Sequence, residues 1–281
     1  MKKIVDKTDT LLNYLTNNID MPKKKIKEYL KYKSIYVDGV NTTKFDYPLS
    51  KGSTIYIDTK TKEKSSLPFK VIYEDNYIIV VDKPAGLLTV STEKEKEHTL
   101  YHIVREYLKN KKENIFIIHR LDKETSGIVI FAKDEKTKNT FQESWDNIAK
   151  KRQYQAIVEG ILDKKEDTLI NNLKENSINI VYVAKEGKKA ITKYKVIKEN
   201  KKYSLLEIQI KTGRKNQIRV QLSHINHPII GDKKYKNKKD KEQRLFLHAN
   251  KLVIYNPILK KEMTFTSNSP NIFKEKMKSE K

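Results

Sequence analysis

The chain contains no cysteine. Disulfides, thiolate zinc sites, iron–sulfur clusters and cysteine nucleophiles are therefore excluded, and a reducing compartment fits. No apolar run approaches the ~20 residues that a membrane span needs. The first residues, MKKIVDKTDTLLNYL, hold no continuous apolar stretch and no small-residue cleavage site, so no signal peptide is read. There is no internal repeat. These absences lead us to expect a soluble cytoplasmic protein, a monomer by default. Hydrophobic residues make up 37% of 281, enough for a core, though a lean one.

What is abundant is positive charge. The formal net charge is +23 at pH 7. That excess goes well beyond what solubility needs and points to a polyanionic partner. A generically lysine-rich surface is the alternative, since Lys, Asn and Ile are all frequent.

Composition shifts at residues 58–67, DTKTKEKSSL, a polar stretch that ends just before Pro68. We place a linker at 61–67, a small unit at 1–60 and a large domain at 68–281. In the small unit, LLNYL has helical spacing. MPKKKIKEYLKY reads as a second helix with Pro22 in its first turn and Ile26, Tyr29 and Leu30 on one face. Lys23, Lys24, Lys25 and Lys27 fall on the rest of that helix, either as a phosphate-tracking surface or as a solvated face. SIYVDGV and STIYID follow as strands around an Asp38–Gly39 turn. This order resembles the alpha-L RNA-binding motif.

The large domain reads mainly as strands: VIYEDNYIIVVDKP, IFII, IVIFAK, YQAIVEG, KKAITKYKVI, YSLLEIQI, LFLHANKLVIYNP and EMTFTS. DEKTKNTFQESWDN reads as a helix capped by Asp134, with Phe141 and Trp145 on one face. RKNQIRVQLSHIN and NIFKEKMK read as helices. Runs of strands with few helices between them predict an α+β fold. Its large domain is a mixed, mainly antiparallel sheet with flanking helices, and a small α/β domain precedes it.

Between IFII and IVIFAK lies HRLDKETSG, residues 119–127. An Arg and an Asp, Arg120 and Asp122, occupy the gap between two apolar strands. Taken alone, this is a tight loop with turn chemistry at Thr125-Ser126-Gly127. Three further stretches change that reading. TGRKNQIRVQLSHINHPIIGD opens a helix with Arg214, Gln217 and Arg219, where amides and cations together favour anions. Arg219 sits in an amphipathic stretch, and a half-buried guanidinium demands a carboxylate. RQYQAIVEG places Tyr154 at the head of a strand. VDKPAGLL ends a strand at Lys83 before a Pro–Gly turn.

Together, HRLDKETSGIVIFAK, YQAIVEG, TGRKNQIRVQLSHINHPIIGD and LFLHA resemble the pseudouridine synthases of the RluA type, which act on ribosomal large-subunit RNA. The resemblance runs from about residue 68 to about residue 270. Asn216 and Gln221 depart from it, standing where the family often has His, and the loop DKKYKNKKDKEQR is unusually lysine-rich. The resemblance implies isomerisation of uridine to pseudouridine in RNA. By this resemblance Asp122 is the catalytic carboxylate, Arg219 its partner and Tyr154 the active-site tyrosine. Arg120 enters the space left by the flipped base or holds a phosphate beside it. Lys83, Arg214 and Gln217 are lesser candidates for the RNA backbone.

No cofactor is expected, because a rearrangement changes no oxidation state. His98 and His102 have i, i+4 spacing but no third ligand nearby, so no metal is expected. Ribosomal RNA is the first target and transfer RNA the second. Two other functions compete with this one. The first is a catalytically dead RNA-binding assembly factor, disfavoured because Asp122, Tyr154 and Arg219 all stand. The second is a sugar hydrolase using Asp122 and Glu124, which the charge disfavours.

Overall fold

The computed structural model describes residues 1–31, 34–58, 67–93, 95–109, 111–235, 242 and 244–278. The expected linker at 61–67 falls outside them except for Leu67, and so does most of the lysine-rich loop. The chain divides into two compact units, Met1–Leu67 and Pro68–Lys281.

In the first unit, a four-stranded antiparallel sheet runs in the order Lys2–Ile4, Thr54–Ile57, Ile35–Val37, Val40–Asn41. The Asp38–Gly39 turn has positive φ at both residues, 49° and 80°, the backbone that a two-residue hairpin needs. Helices Leu11–Asn18 and Lys23–Lys31 bury Leu11, Leu15, Ile26 and Leu30 against Ile35, Val37, Ile55 and Ile57. Pro22 accepts the first helical bonds of the second helix through its carbonyl.

The second unit is built on an eleven-stranded mixed sheet, mainly antiparallel. Its spine runs Val181–Ala184, Glu166–Glu175, Lys188–Glu199, Tyr203–Ile210, Ala149–Glu159, Leu247–Asn256, Ser126–Ala132, Ile78–Lys83, Lys70–Glu74. Among the described strands one pair is parallel: Ser126 lies opposite His248 and Gly127 opposite Ala249. That pairing lasts two residues. From Lys251 onward strand Lys261–Thr266 pairs with Leu247–Asn256 instead.

Strand Ile78–Lys83 is buried on both faces, which accounts for its continuous apolar run. Ile79 and Val81 join Val129, Phe131 and helix Leu100–Lys109 on one side, while Ile78 and Val80 join Ile130 and Phe141 on the other. Asp134 caps helix Glu135–Glu143, accepting from the Thr137 amide at 2.7 Å. The expected single helix breaks at Ser144. A short second helix, Trp145–Ile148, carries Trp145, which still packs against the cluster that holds Phe141 and stacks on His119 with ring centres 4.8 Å apart. Among the described residues no helix is long and apolar enough to cross a membrane.

Candidate active site

The loop 119–125 is held from two sides. At its exit, Gly127 adopts φ +116°, and a Cβ built on it would lie 2.3 Å from the Ala249 carbonyl oxygen. Only glycine lets these two strands meet. Ala249 in turn lies opposite Tyr154. Three adjacent strands therefore bring the end of the Asp-bearing loop beside the tyrosine.

At its entrance, the Thr89 hydroxyl donates to the Leu121 carbonyl at 2.7 Å and accepts from the Leu121 amide at 3.2 Å. The Gly86 amide donates to the Lys123 carbonyl at 2.9 Å. Leu121 is buried, anchoring the loop to the core, so Arg120 and Asp122 on either side of it turn outward. This is why the loop can carry two charges between two buried strands.

Asp122 keeps 30% of its side-chain exposure and lies 3.8 Å from Arg219 Nη1. Burial pushes its carboxyl above the usual carboxylate range, against the opposing pull of Arg219, Arg120 and Lys83. Arg219 stands on helix Gln217–His224. Its Nε and Nη2 both reach Asp232, at 2.8 Å each, and its Nη1 reaches Asn216 Oδ1 at 3.1 Å. Asp232 is thus the fork-to-fork partner of Arg219, and Asp122 receives only the outer edge of the guanidinium.

Tyr154 lies half-buried between the two hydrophobic clusters of the sheet. Burial pushes its phenol up to about 12. A cleft of about 430 Å³ opens over Asp122 and is lined by Arg120, Arg214, Lys215, Arg219 and Lys234. Tyr154 is not among its lining residues. A neighbouring cavity of about 580 Å³ shares Arg120, Arg214 and Lys215. Glu124 also lines the cleft, but cations outnumber the two carboxylates there, an arrangement suited to a polyanion that must present a reacting atom to Asp122.

A family model described as RNA pseudouridylate synthase matches residues 77–224. An RNA pseudouridine synthase of Mycoplasma genitalium, itself uncharacterized, is 30% identical over 98% of this chain and 94% of its own. The ribosomal large subunit pseudouridine synthase C of Buchnera aphidicola is 31% identical over 80% of this chain and 77% of its own. The chain belongs to the RluA-type RNA pseudouridine synthases. Among solved structures, the human RNA pseudouridylate synthase domain containing 1 shares the fold. Its TM-score is 0.63 at 20% identity, covering 73% of this chain and 85% of the human one.

Within this synthase the expected residues separate into two groups. Asp122, Arg219, Arg120 and Arg214 meet at the cleft, with Arg214 just before its helix rather than in it and its Nε on the Lys189 carbonyl at 3.1 Å. Lys83 and Gln217 do not reach it as RNA contacts. Lys83 is fully buried, and its ammonium donates to the carbonyls of Leu87, Pro84 and Lys123 at 2.7, 3.0 and 3.0 Å. Burial pulls it down to about 7, while three acceptors match the three protons of the charged form. It is a strut for the loop. Gln217 is buried too, bonded to Thr212, the Arg214 amide, Thr192 and the Ile191 carbonyl.

His98 lies outside helix Leu100–Lys109, so it does not share a helical face with His102. Among the described residues no cluster of metal-ligating side chains forms. Lys23, Lys24, Lys25 and Lys27 are all exposed on their helix. Asp232 escaped the sequence reading. The signal was present: it is the one acid in TGRKNQIRVQLSHINHPIIGD, and Arg219 needed a carboxylate.

Proposed function

We propose that this pseudouridine synthase modifies uridine in large-subunit ribosomal RNA, with Asp122 acting at ribose C1′ of a base drawn out of its stack. The observation that carries the reading is the Asp122 carboxylate, 3.8 Å from Arg219, at a cleft lined by cations. Relatives named as ribosomal large subunit pseudouridine synthases C and D support the target.

The chemistry is an isomerisation. The bond from C1′ to uracil N1 breaks, the base turns, C5 joins C1′, and the hydrogen on C5 leaves as a proton while N1 gains one. Nothing is oxidised or reduced. A carboxylate can attack the electron-poor C1′ or stabilise its cationic character, and either role requires the ionised form. Arg219 holds that form against burial. Arg120, exposed at the cleft, enters the vacated stack or grips the neighbouring phosphate, offsetting the few kcal/mol that unstacking costs. Tyr154 supplies a ring against the uracil and a phenol for proton transfer. The unit before residue 61 acts as an alpha-L-type RNA clamp through Lys23, Lys24, Lys25 and Lys27, and the cytoplasm is the expected location.

RNA carrying tritium at uracil C5 tests this, because that hydrogen must leave. Ribosomal and transfer RNA are assayed separately with wild type and Asp122→Ala. Release from ribosomal RNA alone, lost in the variant, is expected. Release from transfer RNA alone overturns the target, and release by Asp122→Ala overturns the residue.

A further inference from the structure

Beneath the Asp122 loop runs a line of polar side chains that the proposed chemistry does not use. Ser126, the first residue of the strand leaving the loop, has its hydroxyl 2.9 Å from His248 Nδ1. Arg244 Nη2 donates to the same hydroxyl at 2.9 Å. Across the ring, His248 Nε2 lies 3.1 Å from Ser267 Oγ and 3.3 Å from the Ser267 carbonyl. Ser267 Oγ donates to Asp82 Oδ2 at 2.6 Å. His248 and Ser126 are 1% and 3% exposed, so water cannot stand in for these partners.

Valence settles the direction of each bond. The Ser267 hydroxyl has one proton to give, and it donates it to Asp82 Oδ2. Ser267 Oγ therefore accepts from His248, and Nε2 carries the hydrogen. The neutral ring then has a bare Nδ1, which accepts from Ser126. The guanidinium only donates, so it does not compete for that lone pair. The result is a one-way chain: Arg244 to Ser126 to His248 to Ser267 to Asp82. It has a cation at the donor end and a carboxylate at the acceptor end, so its bonds polarise one another. Burial and the Arg244 charge hold His248 below the usual imidazole range, although Asp82 pulls the other way, which keeps the ring neutral.

We propose that His248 is a positioning residue for the Asp122 loop, seating it through Ser126 by means of this buried chain. Ser126 and His248 are register partners in the short parallel pair, next to the point where Gly127 closes on Ala249. The chain holds the loop's exit as Thr89 and Lys83 hold its entrance. It also links strands Ile78–Lys83, Ser126–Ala132 and Leu247–Asn256 to the residue following strand Lys261–Thr266. The inference rests on Asp122 being the carboxylate that acts at the sugar.

Ser126→Ala removes the tie without touching the cleft. Its kcat for tritium release should fall about tenfold, the usual worth of a buried hydrogen bond, with KM for RNA changed less than about twofold. Ser126→Thr keeps the hydroxyl and should restore turnover. His248→Phe fills the space without the bonds and should match Ser126→Ala. In ring-labelled wild type, nitrogen–proton NMR should show His248 as the Nε2–H tautomer. Unchanged kcat in Ser126→Ala overturns the proposal, as does an Nδ1–H tautomer. So does a joint loss of kcat, RNA affinity and thermal midpoint that Thr does not repair. Asp122→Ala is assayed in parallel. If it stays active while the Ser126 variants behave as expected, the Asp122 reading fails and the chain still stands as a seat for the loop.

Discussion

Gly127 and Ala249 approach so closely that a single methyl on Gly127 would sit 2.3 Å from the Ala249 carbonyl oxygen and 2.6 Å from its nitrogen. Gly127 also holds φ +116°, a conformation that side chains disfavour. Both obstacles are backbone, which cannot swing aside. Gly127→Ala should therefore cost about 3 kcal/mol or more, from strain and overpacking together. Denaturant unfolding would show it, and a variant of wild-type stability would mean that the parallel pair is looser than described.

Arg219 serves two carboxylates unequally. Asp232, 2% exposed, receives both forks, and Asp122 receives one edge at 3.8 Å. Arg219→Ala strands Asp232 as a buried charge and should destabilise the fold by about 3–5 kcal/mol. It should lower turnover sharply, because the largest pull keeping Asp122 ionised is gone. RNA binding should persist, since Arg219 is 7% exposed and its donors face protein. Arg219→Lys should not rescue, for an ammonium cannot span both Asp232 oxygens. Equal loss of binding and turnover would sink this assignment.

Partial burial in the cleft pushes the Asp122 carboxyl above its ordinary value of 3.8. Folding then favours the protonated form. That contribution is present at low pH and fades as pH rises through the ordinary value toward the folded one. At neutral pH the ionised Asp122 is a net cost to stability. Asp122→Asn should therefore unfold later than wild type at pH 7, while losing activity. The two curves should converge below the ordinary value. In wild type, activity should fall on the acid side as Asp122 protonates, and Arg219→Ala should move that limb to higher pH. A less stable Asp122→Asn at neutral pH would reverse the sign argued here.

Much of this site could be read from the sequence because its signals are local. The loop between two apolar strands, the glycine at its exit and an arginine inside an amphipathic helix are all visible in short windows. What stayed hidden depends on residues far apart in the chain. A buried Lys83 looks like any surface lysine until carbonyls from residues 84, 87 and 123 converge on it. Gln217 likewise opens its helix by pattern, yet folds onto Thr192 and Thr212. Strand Glu166–Glu175 went unread for another reason. Its two buried residues, Leu169 and Leu173, are four apart, which is a helical spacing, and the strand owes its conformation to Lys188–Glu199 beside it.

The exposed lysines of helix Lys23–Lys31 give a separate test of the first unit. Every lysine that neutralises a phosphate steepens the fall of log affinity with log salt by about 0.7–0.9. Replacing Lys23, Lys24, Lys25 and Lys27 by Gln should flatten that slope and weaken binding without a change in kcat. A slope equal to wild type would make that helix a solvated face and no more.

Tyr154 carries the last distinction, between a ring and a hydroxyl. Burial lifts its phenol to about 12, with Asp122 adding to the rise and Arg152 opposing it. The group is therefore protonated throughout the working range, and no limb in the rate profile between pH 6 and roughly 10 should belong to it. A protonated phenol still passes a proton once C5 has bonded to C1′ by giving its own O–H hydrogen to uracil N1 while its oxygen takes the C5 hydrogen, which restores the conjugated ring. Tyr154→Phe keeps the ring and its packing. It should retain RNA affinity and lose about 10²-fold or more in kcat, the scale of a missing proton-transfer group. Tyr154→Ala should additionally destabilise the protein by about 3 kcal/mol, since the ring joins two clusters of the sheet. Full turnover by Tyr154→Phe would leave Tyr154 with stacking alone and send the search for the proton acceptor to solvent or to Asp122 itself.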